Sequence, residues 1–190
     1  HHVLDQQFYR FWVLYCINLD QSQARGWEMR PFMMVVYVVL SVVSTAAKAV
    51  LPGPLVKAEW LVEHIDEVRV LDVRKDVDSF TQTGHIQGAV LVDVNGIRVE
   101  RIIDDKRLTR MRPDPAVFQT FMRDHGVDND TWVVLSHRGE TPGQVAGAAR
   151  LYWHMKYYGF DNVALLDGGN RAWVDALEDL VNDSTDVQPG

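Results

Sequence analysis

From residue 57 onward, short apolar runs alternate with longer stretches in which apolar residues recur at helical spacing. The short runs are rich in β-branched residues and predict strands at 68–73, 89–92, 132–135 and 163–166. The longer stretches predict helices at 57–65, 114–126 and 143–158, and a last helix carrying Ala172, Trp173, Ala176, Leu177 and Leu180. Strands that alternate with helices are typical of a mostly parallel sheet covered on both faces. The pattern therefore predicts an α/β fold, with its chemistry at the carboxyl ends of the strands.

Two segments of this region follow neither period. Residues 95–112 are basic and irregular and lead into Pro113, which predicts a surface loop. Residues 181–190 are polar and rich in turn-forming residues, as expected of a linker or tail. The predicted folded domain is therefore 50–180.

The front of the chain contains its longest apolar run, at 32–47. This run is shorter than the roughly 20 residues of a spanning helix, follows a positive residue and ends in small residues. We interpret 29–49 as a signal peptide cleaved near Val50, which predicts a periplasmic or secreted protein. The alternative is a membrane anchor, so membrane contact is expected only if 32–47 stays uncleaved. Residues 1–28, with Cys16, would then be a short cytoplasmic tail instead of an upstream or artificially added leader.

Composition and charge narrow the functional classes. The 190 residues are 47% apolar and 24% charged, which favours a globular protein and excludes a disordered or fibrous one. The net charge of −7 and the lack of a basic stripe argue against a nucleic-acid partner. The single cysteine, Cys16, excludes an internal disulfide and a cysteine-based zinc site. Four histidines also lack the spacing of zinc ligands, so no metal and no cofactor is expected. They are His64, His125, His137 and His154.

Several short motifs lie at the predicted strand ends and turns. They are Leu-Asp-Val-Arg at 71–74, Gly-His-Ile-Gln-Gly-Ala at 84–89, Val-Val-Leu at 133–135, and Leu-Asp-Gly-Gly at 166–169 followed by Trp173. In this order they resemble the rhodanese domain. No single motif is specific for the family, but the order of these motifs over residues 55–180 is specific for it. The resemblance implies a three-layer α/β/α fold around a mostly parallel sheet.

The residues of these motifs have structural roles in our interpretation. Asp72 ends a buried strand, where its carboxylate needs hydrogen bonds such as those of Arg74. His85 is expected to be a hydrogen-bonding residue of a turn in which Gln87 replaces the proline usual in the family. The turn at Asp167, Gly168 and Gly169 is expected to be tight, and Trp173 is expected to anchor the core. Arg150 belongs to a predicted helix that resembles the aromatic helix in the inactive halves of the family.

The resemblance also implies a chemistry, in which a cysteine thiolate in the loop after the third predicted strand carries sulfane sulfur as a persulfide. Here that nucleophile position is Ser136, or His137 if the register slips by one, and neither residue is a thiol. A serine hydrolase is not favoured, because His137 would point away from Ser136 on an extended strand and the sequence has no Gly-x-Ser-x-Gly elbow. The loop remains a candidate anion site: Ser136, His137, Arg138, Gly139, Glu140 and Thr141. The alternative for Arg138 is an ordinary exposed loop arginine.

The sequence supports two hypotheses. The chain resembles the cysteine-free first domain of an exported tandem sulfurtransferase, which uses thiosulfate or 3-mercaptopyruvate. That hypothesis predicts a second rhodanese domain as partner, C-terminal to Gly190, and a first domain that is inactive alone. The alternative is a stand-alone, catalytically inactive binding module of the same fold, which recognises a partner or a small sulfur-containing anion.

Overall fold

The computed structural model describes residues 51–176, 178–183, 187 and 189–190. A five-stranded sheet forms the centre of the domain. Its strands are β1 (Leu55–Val56), β2 (Arg69–Arg74), β3 (Val90–Asp93), β6 (Val133–Ser136) and β7 (Val163–Leu166). They lie in the order β1-β7-β6-β2-β3, and every neighbouring pair is parallel. The four longer strands confirm the sequence prediction, whereas β1, with only two residues, was not predicted.

Helices cover both faces of this sheet. They are α1 (Ala58–His64), which continues into a 3-10 turn at Ile65–Glu67, α2 (Ser79–Gln82), α3 (Pro115–Asp124), α4 (Pro142–Tyr157) and α5 (Gly169–Asp175). One core cluster contains Leu71 and Leu135 and packs on residues of α3 and α4. The other contains the alternate strand residues Val70 and Val134 and packs on α1 and α5. The predicted three-layer α/β/α fold is therefore confirmed.

The prediction of a surface loop at 95–112 was wrong. The segment forms an antiparallel hairpin of β4 (Val99–Ile103) and β5 (Lys106–Met111), joined through Asp104 and Asp105. Most hairpin residues are exposed on both faces, so no strand face is buried and the alternation that signals a strand is missing. The turn itself is strained, because φ is +51° at Asp104 and +58° at Asp105.

The last helix is shorter than predicted. It ends at Asp175, and the described part of the following segment runs back along the domain. Val181 pairs with His85 through two backbone hydrogen bonds of 2.9 Å. The indole Nε1 of Trp173 donates to the Asp179 carbonyl at 3.2 Å, which satisfies the polar atom of this buried side chain. The helix prediction failed at its end because Leu180 packs on the core from an irregular segment rather than from another helical turn.

The predictions for residues 1–49, including Cys16, lie outside the described residues. Within the ranges that the structure describes, no helix is long and apolar enough to cross a bilayer. The boundaries proposed for the leader, signal peptide, domain and tail remain predictions.

Candidate functional site

A buried network of hydrogen bonds lies at the carboxyl end of the two central strands. Asp72 and Ser136 are register partners on β2 and β6. Arg74 donates to both carboxylate oxygens of Asp72, from Nε at 2.9 Å and from Nη2 at 2.7 Å. Asn170 donates from Nδ2 to Asp72 Oδ2 at 2.8 Å, and its Oδ1 accepts a short hydrogen bond from the Ser136 hydroxyl. All four side chains are buried. Their hydrogen bonds join β2, β6 and α5.

Arg74 is fully engaged in the same region. Besides Asp72, its guanidinium donates to the Gly84 carbonyl at 2.6 Å and to the hydroxyls of Ser79 and Thr83 at 3.1 and 3.3 Å. A buried cation is tolerated when it is paired and its donors are satisfied. Arg74 therefore ties β2 to the segment that leads into β3.

The loop after β6 packs closely on the turn after β7. A Cβ at Gly139, where φ is +82°, would lie 2.2 Å from the Gly168 carbonyl oxygen. A Cβ at Gly169 would lie 2.2 Å from the His137 carbonyl oxygen, which accepts a hydrogen bond of 2.7 Å from Asn170 N. Only glycine fits either position, and the two turns are held together without side chains between them.

His137 is buried beside this network, but the Ser136 hydroxyl bonds to Asn170 and not to the His137 ring, so His137 is not placed as a base for Ser136. Burial lowers the pKa of His137, against the opposing charge of Asp72, so the imidazole is neutral at neutral pH. The Ser136 hydroxyl donates to the amide of Asn170, which cannot take up a proton. A hydroxyl without an adjacent base is a weak nucleophile.

The end of the loop is held by the start of α4. Gln144 Oε1 accepts from the backbone N–H groups of Glu140 and Thr141, at 2.9 and 3.2 Å. Arg138 Nη2 pairs with the carboxylate of Glu140 at 2.7 Å, and this hydrogen bond lowers the pKa of Glu140. The N–H groups of Glu140 and Thr141, which would otherwise face an anion, already have an acceptor in Gln144.

A cavity of about 300 Å³ opens between this loop, the start of α4 and the ends of β2 and β3. We call it the loop cavity. Its charged lining consists of Arg74, Lys75, Arg98 and Arg138 against Asp76. Arg74 and Arg138 already pair with Asp72 and Glu140, so Lys75 and Arg98 are the cations of this lining without a carboxylate partner in the described ranges, and their charge suits a small anion.

Of the remaining motif residues, His85, Asp167 and Arg150 do not line the loop cavity. His85 is buried and stacks on Phe80, with ring centroids 3.6 Å apart. Asp167 is an exposed partner of Lys57, with its Oδ2 2.5 Å from Nζ. Arg150 lies on α4 and donates from Nη2 to the Arg110 carbonyl.

Sequence reasoning missed Asn170 and Arg98. Asn170 directly follows the Gly168-Gly169 turn at the carboxyl edge of the sheet, a position at which a polar side chain is a signal of a site. Arg98 was assigned to an unstructured loop and had no such signal. In the described ranges, no group of three or more His, Cys, Asp or Glu side chains is arranged to hold a metal ion.

Comparison with known families agrees with this geometry. The model of the rhodanese-like domain matches residues 57–176, which include every strand except β1 and every helix. The chain belongs to the rhodanese-like domain family. Among solved structures, 3-mercaptopyruvate sulfurtransferase SseA from Escherichia coli superimposes with a TM-score of 0.60 at 26% identity, over 72% of this chain and 53% of SseA. The family resemblance in the sequence is thereby confirmed.

Curated relatives are sulfur-handling proteins. The 3-mercaptopyruvate sulfurtransferase of Escherichia coli strain K12 is 30% identical over 62% of this chain and 43% of its own length. The sulfur carrier protein TtuD of Thermus thermophilus is 32% identical over 73% of this chain and 46% of its own length. A putative thiosulfate sulfurtransferase of Haloferax volcanii is 33% identical over 64% of this chain and 41% of its own length. The chain thus spans less than half of the length of these relatives.

Proposed function

We propose that this rhodanese-like domain is the non-catalytic half of a sulfurtransferase. In that role it packs against a second rhodanese domain, C-terminal to Gly190, which supplies the thiol. The whole protein would move sulfane sulfur from thiosulfate or 3-mercaptopyruvate to a thiophilic acceptor. The proposal is supported by the family assignment and by relatives that are about twice as long as the matched segment.

The observation that carries the proposal is the environment of Ser136. A persulfide requires a thiolate that can reach its donor. Ser136, one of the two nucleophile positions that the family resemblance leaves open, offers a hydroxyl with no exposed surface that is hydrogen-bonded to Asn170. The other, His137, is a buried imidazole and not a thiol. The chain has no cysteine between 50 and 190. The domain would therefore shape the cleft of its partner and stabilise it rather than carry sulfur.

Export is a separate part of the proposal. It rests on the short apolar run at 32–47, with its positive start and small-residue end, interpreted as a signal peptide at 29–49. The expected location is periplasmic or secreted, with a membrane anchor as the alternative. N-terminal sequencing of the chain expressed with this segment would give Val50, or a neighbouring residue, as the first residue if the segment is cleaved.

The alternative function is a binding module that recognises a sulfur-containing anion without turnover. The loop cavity favours it, because Lys75, Arg98 and Arg138 surround a space large enough for a small oxyanion. The coding sequence downstream of Gly190 distinguishes the two functions. A second domain with a cysteine in its loop supports the first function, and a stop codon directly after Gly190 removes it.

Catalysis is tested on the full chain with Cys16→Ser, in an assay of thiocyanate formed from thiosulfate and cyanide. We expect no turnover above background, either in this variant or after addition of Ser136→Cys, because position 136 is buried under Asn170. Pyruvate release from 3-mercaptopyruvate serves as a second assay. Turnover by the Cys16→Ser chain would overturn the proposal, and so would a sulfur adduct that peptide mass mapping places within 50–190.

A further inference from the structure

Three arginines meet where the base of the β4–β5 hairpin lies against α4. Arg98 directly precedes β4, Arg110 lies near the end of β5, and Arg150 lies on α4. The Nη2 group of Arg150 donates to the backbone carbonyl of Arg110, which fixes the hairpin base to the helix. We call these three residues the arginine seam.

The seam lacks the carboxylates that arginines of a folded protein usually find. In the described part of the chain, none of its three guanidinium groups has a carboxylate oxygen within 4.0 Å. Burial and the charges of Arg150 and Arg110 lower the pKa of Arg98, and Asp93 opposes them. The chain has 26 acidic residues against 19 basic ones, so this local excess of positive charge is opposite in sign to the net charge of the chain.

Buried donors in the seam also lack acceptors. The Nε atoms of Arg98 and Arg150 are buried, and neither has a hydrogen-bond partner in the described ranges. A buried donor without an acceptor destabilises the folded state, because it has lost its hydrogen bond to water and gained none in the protein. An acceptor that bonds to both groups would satisfy them together.

His154 gives a second, independent indication. It lies one turn after Arg150 on the same face of α4, is 0% exposed, and has no hydrogen-bond partner at either ring nitrogen in the described ranges. Burial and then the charges of Arg150, Arg112 and Arg98 lower its pKa to about 4. The neutral ring adds no further cation to the seam and leaves one N–H without an acceptor.

Arg112 is not part of the arginine seam, because its guanidinium already has aromatic partners. Its guanidinium lies 4.3 Å from the Tyr157 ring centroid and donates to the Tyr158 hydroxyl at 3.4 Å. Cation–π contacts of this kind stabilise an arginine without a carboxylate. The unpartnered donors are thus those of Arg98, Arg150 and His154.

We propose that the arginine seam binds a tetrahedral oxyanion with two negative charges, of the phosphate or sulfate class. Guanidinium groups bind such oxygens with charge-assisted, often paired hydrogen bonds. Such a site would bind the anion without forming a persulfide and without converting the anion into a product. Arg98 also lines the loop cavity, so the bound anion would lie beside that cavity.

The test is thermal unfolding of the full chain in inorganic phosphate, with sulfate as a second probe and sodium chloride at matched ionic strength as the reference. Matched salt is essential because screening alone weakens repulsion among arginines. With about 20 mM phosphate we expect a Tm increase of about 3 °C over chloride, since binding to the folded state alone stabilises it.

The decisive variant is Arg110→Gln, because Arg150 binds the backbone carbonyl of residue 110 and keeps that bond when the side chain loses its charge. We expect this variant and Arg98→Gln to lose most of the phosphate-specific shift. Arg107→Gln is the matched control on the same hairpin, since Arg107 is 71% exposed and pairs with Glu100. Isothermal titration with phosphate should show a loss of affinity of about tenfold in the two seam variants only.

Two outcomes overturn the inference. One is an equal phosphate shift in the wild-type chain, Arg110→Gln and Arg98→Gln. The other is a shift that disappears in Arg138→Gln but persists in both seam variants, which would assign the anion to the loop cavity. The thiocyanate assay is independent of both, so the seam and the proposed function can fail separately.

Discussion

The α-carbon of Gly169 lies directly against the carbonyl oxygen of His137. A Cβ at position 169 would be 2.2 Å from that oxygen and 2.6 Å from His137 Nδ1. The next residue, Asn170, donates its backbone N–H to the same carbonyl at 2.7 Å. The loop after β6 and the turn after β7 are therefore one packing unit, whose stability depends on the absence of a side chain at position 169.

Gly169→Ala should destabilise the domain by roughly 3 kcal/mol or more, because it combines a left-handed φ of +62° with a clash against rigid backbone. The matched control is Gly88→Ala, where φ is +74° but a Cβ meets nothing within 4 Å. That variant should cost only about 1 kcal/mol of backbone strain. Urea denaturation of both variants measures the difference, and equal losses would contradict this packing.

Asp72→Asn should cost about 3–5 kcal/mol, because it leaves the buried guanidinium of Arg74 without its counter-charge. The control is Asp167→Asn, which removes an exposed ion pair with Lys57 and should cost no more than about 1 kcal/mol. The free energy of unfolding from urea titrations at neutral pH gives both values. A cost below about 1 kcal/mol for Asp72→Asn would show that the pair contributes little.

The stability of the domain should fall as the pH drops from about 6.5 towards 4. The pKa of His154 is lowered to about 4 in the folded state, so between these values the unfolded chain binds more protons and is favoured by acid. The groups that keep it neutral are its buried surroundings and then Arg150, Arg112 and Arg98.

His154→Leu should reduce this pH dependence by about 2–3 kcal/mol over the interval. Part of the slope should remain, because burial lowers the pKa of His137 as well. The measurement is urea denaturation of the wild-type chain and the variant at several pH values. Parallel curves for the two proteins would show that the pKa of His154 is not lowered by folding.

Asp105→Gly should stabilise the β4–β5 hairpin by about 0.5–1 kcal/mol. Asp104 and Asp105 both have positive φ, and tight hairpin turns of this kind favour glycine at the second central position. Amide hydrogen exchange of hairpin residues such as Arg101 and Leu108, which are register partners, measures the effect. Faster exchange in the variant would contradict the turn geometry.

The sequence predicted the longer elements that bury a face, but it missed the exposed hairpin and two elements too short to show a period, β1 and α2. Most residues of β2, β3, β6 and β7 are buried, and α4 carries Leu151 and Met155 at helical spacing, so each element left a signal in the sequence. The hairpin exposes both faces and is held at its base by single contacts, such as that of Arg150 with Arg110. Such contacts leave no trace in hydrophobic periodicity.

The candidate site was predictable by position but not by its hydrogen bonds. Strand ends pointed to Asp72 and Ser136, and the Asp72–Arg74 pair follows from two residues on one strand face. Asn170 joins them from 34 residues beyond Ser136, so its role depends on how the turn after β7 packs on the loop after β6. The arginine seam has the same origin, since Arg98 and Arg150 are distant in the chain and are brought together by the fold.

The order of the strands has a consequence for how the chain folds during synthesis. Strand β1 has a single neighbour in the sheet, β7, where Leu55 pairs with Leu165. About 110 residues must therefore leave the ribosome before the first strand can find its place, which takes about 6–20 s at roughly 5–20 residues per second. Pairing over such long sequence separations slows folding, because the chain loses conformational entropy in closing the loop before the stabilising contacts between the strands form. During that interval the apolar residue Val56 has no strand beside it, and a chaperone that covers this segment would protect the nascent domain from aggregation.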